Sequence, residues 1–369
     1  MKIKIVWITA DYFLDVDYPI VPSIGNNFEI DWYILLDSFP IDVKKIKDAC
    51  KTKNIKVHFY KLYKKWYSPL SFFEILNLYK QVKRESADII YANISSYVFP
   101  YLLADIVFDK SNIIFATHNV NTPKGARYEN LAKLNMSFLL RRFKNFHVFS
   151  ENQKNVLESR VNGRNILYAP LALKDYGKSS NHLLRDKLHF LSFGHIRDYK
   201  RIDLLIKAVQ LVYEQTNKLF KVTIAGTCKD WDKYQRLIKY PFLFDLKIGY
   251  INDHEIPTLF NSHKFLVLPY QDLAQSGAIT VAFNYNMPVV TSNIQQFKEF
   301  VHDGINGFSF NSESVESLSA VLIDCLNMTT DDYGLLCKQT NQFISQNYST
   351  KSIIDRYRTY FRTMLKTKK

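Results

Sequence analysis

The chain has 369 residues, 47% of them apolar and 23% charged, which is a globular composition with length for two α/β domains. With 49 lysines and arginines against 35 aspartates and glutamates the net charge is +14, favouring nucleotide phosphates, acidic headgroups or nucleic acid without choosing among them. Its 4 cysteines, Cys50, Cys228, Cys325 and Cys337, form no CxxC pair and no zinc-like spacing, which fits a reducing, cytoplasmic setting.

The opening MKIKIVWITADYF reads as a first β-strand over residues 2–8 and not as a signal peptide, because its apolar part is short and no small-residue cleavage site follows. Further strands are expected at 31–36, 56–59, 89–92, 112–117, 146–149 and 166–168, with helices such as 72–84 and 152–159 between them. The best apolar stretch, 97–108, is broken by Pro100 and Asp105 and is too short to span a membrane. The alternation restarts after residue 187 with strands at 188–193, 221–225, 244–248, 265–268 and 288–291 and an amphipathic helix at 202–213. The segment between, 169–187, has linker composition. Strands alternating with helices predict a parallel sheet in each half. Ligands of such sheets bind beyond the C-terminal ends of the strands. An amphipathic helix, 348–365, closes the chain.

Two loops at strand ends suit a diphosphate. In FLSFGHIRDYKRIDLLIKAV a strand turns tightly at Gly194, and Arg197 and Lys200 lie in the turn before a helix. A leaving diphosphate gathers negative charge, which fixed cations neutralise without a metal; Arg grips two oxygens and Lys acts as a point charge. The alternative is that both are solvated turn residues. In LVLPYQDLAQSGAITVAF a buried strand is followed by Asp272, then Gln275, Ser276 and Gly277 at a helix start. The free amides and dipole of a helix N-terminus attract anions, and Gly277 leaves room for a phosphate; Ser276 serves equally as a simple N-cap.

These segments, with VTIAG at 222–226 and MPVVTSNIQQFKEFVHDGINGFSF at 287–310, resemble glycosyltransferase family four, of the GT-B fold. The resemblance runs over nearly the whole chain and is strongest at 190–310. It implies two Rossmann-like domains with parallel sheets facing across a cleft: an acceptor domain at 1–168, a nucleotide-sugar domain at 169–345, and a terminal helix at 346–369 crossing back to the first. It implies sugar transfer from a nucleotide diphosphate with retained configuration, no metal and no other cofactor. By the same resemblance Arg197, Lys200 and the amides of Ser276 and Gly277 hold the diphosphate beside Gly194. Glu299 contacts the donor or orders its loop. His118, in FATHNVNTPKG, faces the transferred sugar, with Asn119 beside it on the acceptor side. Ser150 caps a helix.

The sequence departs from the family at four places. Two donor-side glutamates are replaced by Leu273 and Val281, leaving Asp272 or Gln275 to substitute. The arginine after the turn glycine is His195, its charge passing to Arg197, and a glycine pair before Glu299 is Gln295-Gln296. A non-catalytic carbohydrate- or nucleotide-binding subunit is therefore one alternative. A metal-dependent GT-A transferase using Asp15-Val16-Asp17 or Asp230-Trp231-Asp232 is another.

The expected setting is bacterial surface-polysaccharide or lipid-linked glycan assembly. The lysine-aromatic stretch 59–73 and the cluster Arg141, Arg142 and Lys144 suit an anionic surface at the inner membrane, or else are an ordinary solvated face. No nucleic-acid motif is present and basic residues are scattered over both halves, so nucleic acid is not an expected partner. No G-x-G-x-x-G follows a strand, which argues against a dinucleotide oxidoreductase.

Overall fold

The computed structural model describes residues 2–36, 41–63, 68, 70–94, 98–121, 129–178, 188–273 and 276–366. It divides into two units, one of Met1–Ala172 with Thr350–Lys369 and one of Leu173–Ser349.

The first unit holds a sheet of strands β1 (Lys4–Ala10), β2 (Glu29–Leu36), β3 (Ile55–Lys61), β4 (Ile89–Asn93), β5 (Ile113–Thr117), β6 (Asn145–Val148) and β7 (Asn165–Tyr168). Their order is β3-β2-β1-β4-β5-β6-β7, every pair parallel. The second holds β8 (Leu188–Phe193), β9 (Val222–Gly226), β10 (Phe244–Ile248), β11 (His263–Leu268), β12 (Val289–Ser292) and β13 (Gly307–Phe310). Their order is β10-β9-β8-β11-β12-β13, again all parallel. Every strand expected from the sequence is present with ends within about two residues of expectation, the usual uncertainty of a boundary. Strand β13 was not expected: it is a four-residue edge strand.

Alternation along the strands makes the cores. On β1, Val6 and Ile8 join one apolar cluster and Ile5 and Trp7 another. On β11, Phe265 and Val267 face one cluster and Leu266 and Leu268 the other. Both faces of each sheet are covered, so the strands read as nearly continuous apolar runs. Helix Thr350–Lys366 contributes Ile353, Tyr357, Phe361 and Met364 to the Trp7 cluster of the first sheet. Those residues recur every three or four positions, which is one helical face. The Trp7 ring meets those of Tyr357 at 5.7 Å and Phe361 at 6.5 Å.

In each sheet the strand order reverses once, between β1 and β4 and between β8 and β11. Crevices at such switch points, beyond the C-terminal strand ends, are where open α/β sheets hold ligands. Asn93 ends β4, and His118 follows β5. Gly194 follows β8, and Tyr270 lies just beyond β11.

Candidate active site

In the second unit the chain leaves β8 through Gly194, whose φ of +105° favours glycine. The Gly194 amide donates to the Ala225 carbonyl at 2.9 Å, and the Ile196 amide to that of Thr227 at 2.8 Å. Gly226 has φ +147°, and a Cβ there would stand 2.3 Å from the Gly194 carbonyl oxygen. The turn is thus seated on a neighbour that must have no side chain. Gly226→Ala is expected to lower stability by about 2–4 kcal/mol and to blunt any nucleotide response, because the Gly194 turn must shift. Gly163, at φ +66° with nothing within 4 Å of its Cβ direction, is the control: Gly163→Ala should cost about 1 kcal/mol and leave ligand response intact. Denaturant unfolding with and without nucleotide measures both.

Arg197 precedes the 3-10 turn Asp198–Lys200 and is exposed. Lys200 folds back, with Nζ 3.2 Å from the direction a Gly194 Cβ would take and 5.0 Å from the centroid of the Tyr270 ring. The Tyr199 carbonyl accepts from the Gln271 amide at 2.8 Å, and the Tyr199 and Tyr270 rings meet edge-on at 5.9 Å. These contacts bind the cationic turn to the loop after β11. The cations of the turn differ in partnership. Arg201, at φ +50°, is paired with Asp203 at 3.1 Å. Lys200 has no carboxylate partner among the described residues, and burial followed by the Arg197 charge lowers its pKa to about 8. His195 is likewise held below its ordinary value by desolvation and then by Arg197, Lys200 and Lys229. Its Nδ1 shares a hydrogen bond with Thr227 Oγ1. The charge facing this turn therefore rests on Arg197 and Lys200.

Ser276 is buried and caps helix Gly277–Asn284, its Oγ accepting from the Ile279 amide at 3.4 Å. Gly277 stands near Lys174, whose Nζ is 3.9 Å from its Cβ direction. Gln275 lies outside the described residues. Asp272 is exposed and accepts from Gln296 Nε2 at 2.9 Å, so one of the two glutamines standing where the family has a glycine pair ties the loop after β11 to the turn before Glu299. Leu273 and Val281, where the family carries glutamates, are buried in the apolar cluster around Tyr270 and Phe297. Glu299 is half-buried, with Oε1 shielded from solvent.

In the first unit His118 is half-buried between two rings, Phe13 at 4.0 Å and 8° and Phe149 at 4.4 Å and 21°. Its Nε2 is 3.0 Å from Asn93 Oδ1. Asn119, beside it, is half-buried. Ser150 accepts from the Gln153 amide at 3.1 Å and caps helix Glu151–Arg160. Of the basic cluster at the end of helix Glu129–Arg142, Arg142 is engaged by Asp105 at 2.8 Å, which also accepts Lys110 at 2.7 Å. Residues 64–67 and 69 of the lysine-aromatic stretch lie outside the described residues; Tyr63, Leu70 and Phe73 beside them are exposed. Among the described residues no helix is long and apolar enough to cross a membrane, and no group of three or more His, Cys, Asp or Glu could hold a metal ion.

Residues 178–348 match the family model "Glycosyl transferases group 1". No curated protein sequence matches the chain. Among solved structures, a glycosyltransferase from Rickettsia africae is 14% identical, with TM-score 0.74 and 99% of each chain covered. Anabaena Alr3699/HepE in complex with UDP is 14% identical, with TM-score 0.72, over 98% of this chain and 100% of that one. The lipopolysaccharide outer core galactosyltransferase WaaB is 16% identical, with TM-score 0.69, over 98% and 99%. The GT-A alternative fails on this architecture of two all-parallel sheets, and Asp17 of its first triplet is buried against Trp7, Thr9 and Asn93. The second unit thus carries the pattern of the group 1 glycosyltransferases over residues 178–348, and the chain as a whole has the GT-B fold.

Proposed function

We propose that the chain moves a sugar, with retained configuration, from a nucleoside-diphosphate sugar to a hydroxyl of a glycan or lipid-linked acceptor, without a metal. The observation that carries this reading is Lys200. It is a half-buried cation with no counter-ion among the described residues, at the C-terminal end of the strand where the sheet order reverses. Burying an unpaired charge destabilises a fold, and a bound diphosphate would remove that penalty. Arg197 adds a second cation, and the amides of Ser276 and Gly277 at a capped helix start add uncharged donors. The UDP and UDP-glucose held by the Anabaena relative support a nucleotide donor of this class.

In this mechanism the developing charge on the departing diphosphate is neutralised by Lys200 and Arg197, fixed before the reaction starts. His118 meets the transferred sugar, and Asn119 lies on the acceptor side. The departing phosphate itself takes the acceptor proton, so no protein base is assigned. Glu299 and Asp272, the latter held by Gln296, order the donor loop. The acceptor belongs to surface-polysaccharide assembly, and the protein works in the cytoplasm against the inner membrane face, where the exposed Tyr63, Leu70 and Phe73 offer apolar contact.

A thermal-shift screen against UDP, GDP, ADP, CMP and dTDP, with and without EDTA, tests the donor site. One diphosphate should raise Tm, by an amount set by its concentration over Kd, and EDTA should leave the shift unchanged. Loss of the shift in EDTA would overturn metal independence. The absence of any shift would favour a non-catalytic subunit.

A further inference from the structure

Asp17 is 1% exposed, and the donor machinery does not use it. Its Oδ2 accepts from two groups, Trp7 Nε1 at 3.0 Å and Thr9 Oγ1 at 2.6 Å. The indole is a donor only. The Thr9 oxygen also accepts from Trp32 Nε1 at 2.9 Å, and its single hydrogen goes to Asp17. Oδ2 is thereby fixed as an acceptor. Oδ1 accepts from Asn93 Nδ2 at 3.0 Å, and Asn93, fully buried, turns its Oδ1 to His118 Nε2 at 3.0 Å. A carbonyl oxygen only accepts, so Nε2 of His118 carries the hydrogen and, in the neutral ring, Nδ1 is the accepting nitrogen. The rings of Phe13 and Phe149 clamp the imidazole plane, so the tautomer becomes a direction in space.

We propose that Asp17 is a positioning residue that, through Asn93, fixes His118 as the Nε2–H tautomer, and that protonation of Asp17 reverses the tautomer. A proton on Asp17 has one place to go, because Trp7 and Thr9 occupy Oδ2. On Oδ1 it faces Asn93, whose amide then turns over, offers its NH2 to His118 Nε2 and leaves the ring hydrogen on Nδ1. The relay is set to respond near neutrality: burial, with a smaller push from the Asp15 charge, raises the Asp17 pKa to about 7 against the lowering effect of its Thr9, Trp7 and Asn93 hydrogen bonds. The other titratable groups facing it, Tyr91 on β4 and Tyr357 on the terminal helix, have pKa values raised by burial and stay neutral. With His118 at the transferred sugar, as the proposed function has it, the ionised relay presents an acceptor to a sugar hydroxyl and the protonated relay presents a donor.

The test is long-range 1H–15N NMR of the full-length protein labelled with 15N-histidine, at pH 8.5, with His118→Gln to assign the signals. The unsubstituted protein should show the Nε2–H pattern. In Asp17→Asn the carbonyl oxygen takes the Trp7 and Thr9 bonds and the new NH2 donates to Asn93, so the Nδ1–H pattern should appear. Asn93→Ala, which keeps the Trp7 and Thr9 bonds, should give a mixture. An unchanged Nε2–H pattern in either folded variant would overturn the proposal. Turnover is read with the glucose conjugate of whichever diphosphate the thermal screen selects. Asp17→Asn should lower kcat by about 10-fold or more, with KM little changed, and should add nothing on a His118→Gln background. A reversed tautomer with unaltered turnover would uphold the relay and remove His118 from the sugar site.

Discussion

Lys200→Ala is expected to lower kcat/KM by roughly 100-fold or more, as the loss of one fixed electrostatic partner of a developing anion removes about 3 kcal/mol. Arg201 stands next in sequence but is occupied by Asp203, so it does not compensate. The pH profile carries the same signature. The Lys200 pKa in the free protein is about 8, so the cation is present below that pH and is lost above it. On the alkaline side kcat/KM should therefore fall through pH 8, while kcat, which reports the bound state, holds to higher pH because a diphosphate stabilises the charge. Stability moves the opposite way. A lysine whose folded pKa lies below its unfolded value of 10.5 destabilises the fold while charged, fully below about pH 8, and that penalty is released as pH rises toward 10.5. Lys200→Met should thus raise the unliganded Tm at pH 7, by the equivalent of about 1–3 kcal/mol, while abolishing the nucleotide shift. Unchanged turnover in folded Lys200→Ala would remove this residue from the mechanism.

Truncation after Ser349 is expected to have the largest effect on folding. It removes Ile353, Tyr357, Phe361 and Met364 from the cluster around Trp7. Burying one such side chain contributes about 1.5–3 kcal/mol. Four together approach the whole stability of a typical domain, about 5–15 kcal/mol. The exposed face would include Trp7 and Phe28, leaving an apolar patch on the first sheet. The truncated chain should lose the near-ultraviolet circular dichroism of its buried tryptophans and aggregate, while the second unit retains its secondary structure. A soluble truncation with native tryptophan emission would show that the helix is dispensable.

Most of the fold was legible because parallel strands buried on both faces are dense in Val, Ile, Leu and Phe. Ile89–Asn93 and His263–Leu268 need little context to be read as strands. Strand β13 escaped because it is short, and Gly307 is there for packing: a Cβ would meet the Val289 carbonyl at 2.0 Å. The candidate donor site was legible to the extent that its residues are close in sequence. Gly194, Arg197 and Lys200 occupy one strand–turn–helix segment, and the departures at Leu273 and Val281 became intelligible only as buried apolar positions. Tyr270 as the wall under Lys200 had a faint signal, an aromatic just past a buried strand. The Asp17–Asn93–His118 chain had none. Its members lie on separate elements, 76 and 25 positions apart, and meet only because β1 and β4 are neighbours at the point where the strand order reverses. Read along the chain, Asp17 was half of an Asp-x-Asp triplet; read in space, it is a buried acceptor.

The return of the last helix to the first sheet has a consequence for the order in which the molecule is made. Trp7 emerges from the ribosome early, but its partners Tyr357 and Phe361 follow some 350 residues later. At about 5–20 residues per second that is tens of seconds of synthesis during which the face of the first sheet around Trp7 lacks part of its cover. The second unit, Leu173–Ser349, is contiguous and can complete its own core in that interval. The first-made half is thus the last to be finished, and nascent-chain chaperones should engage it for longest.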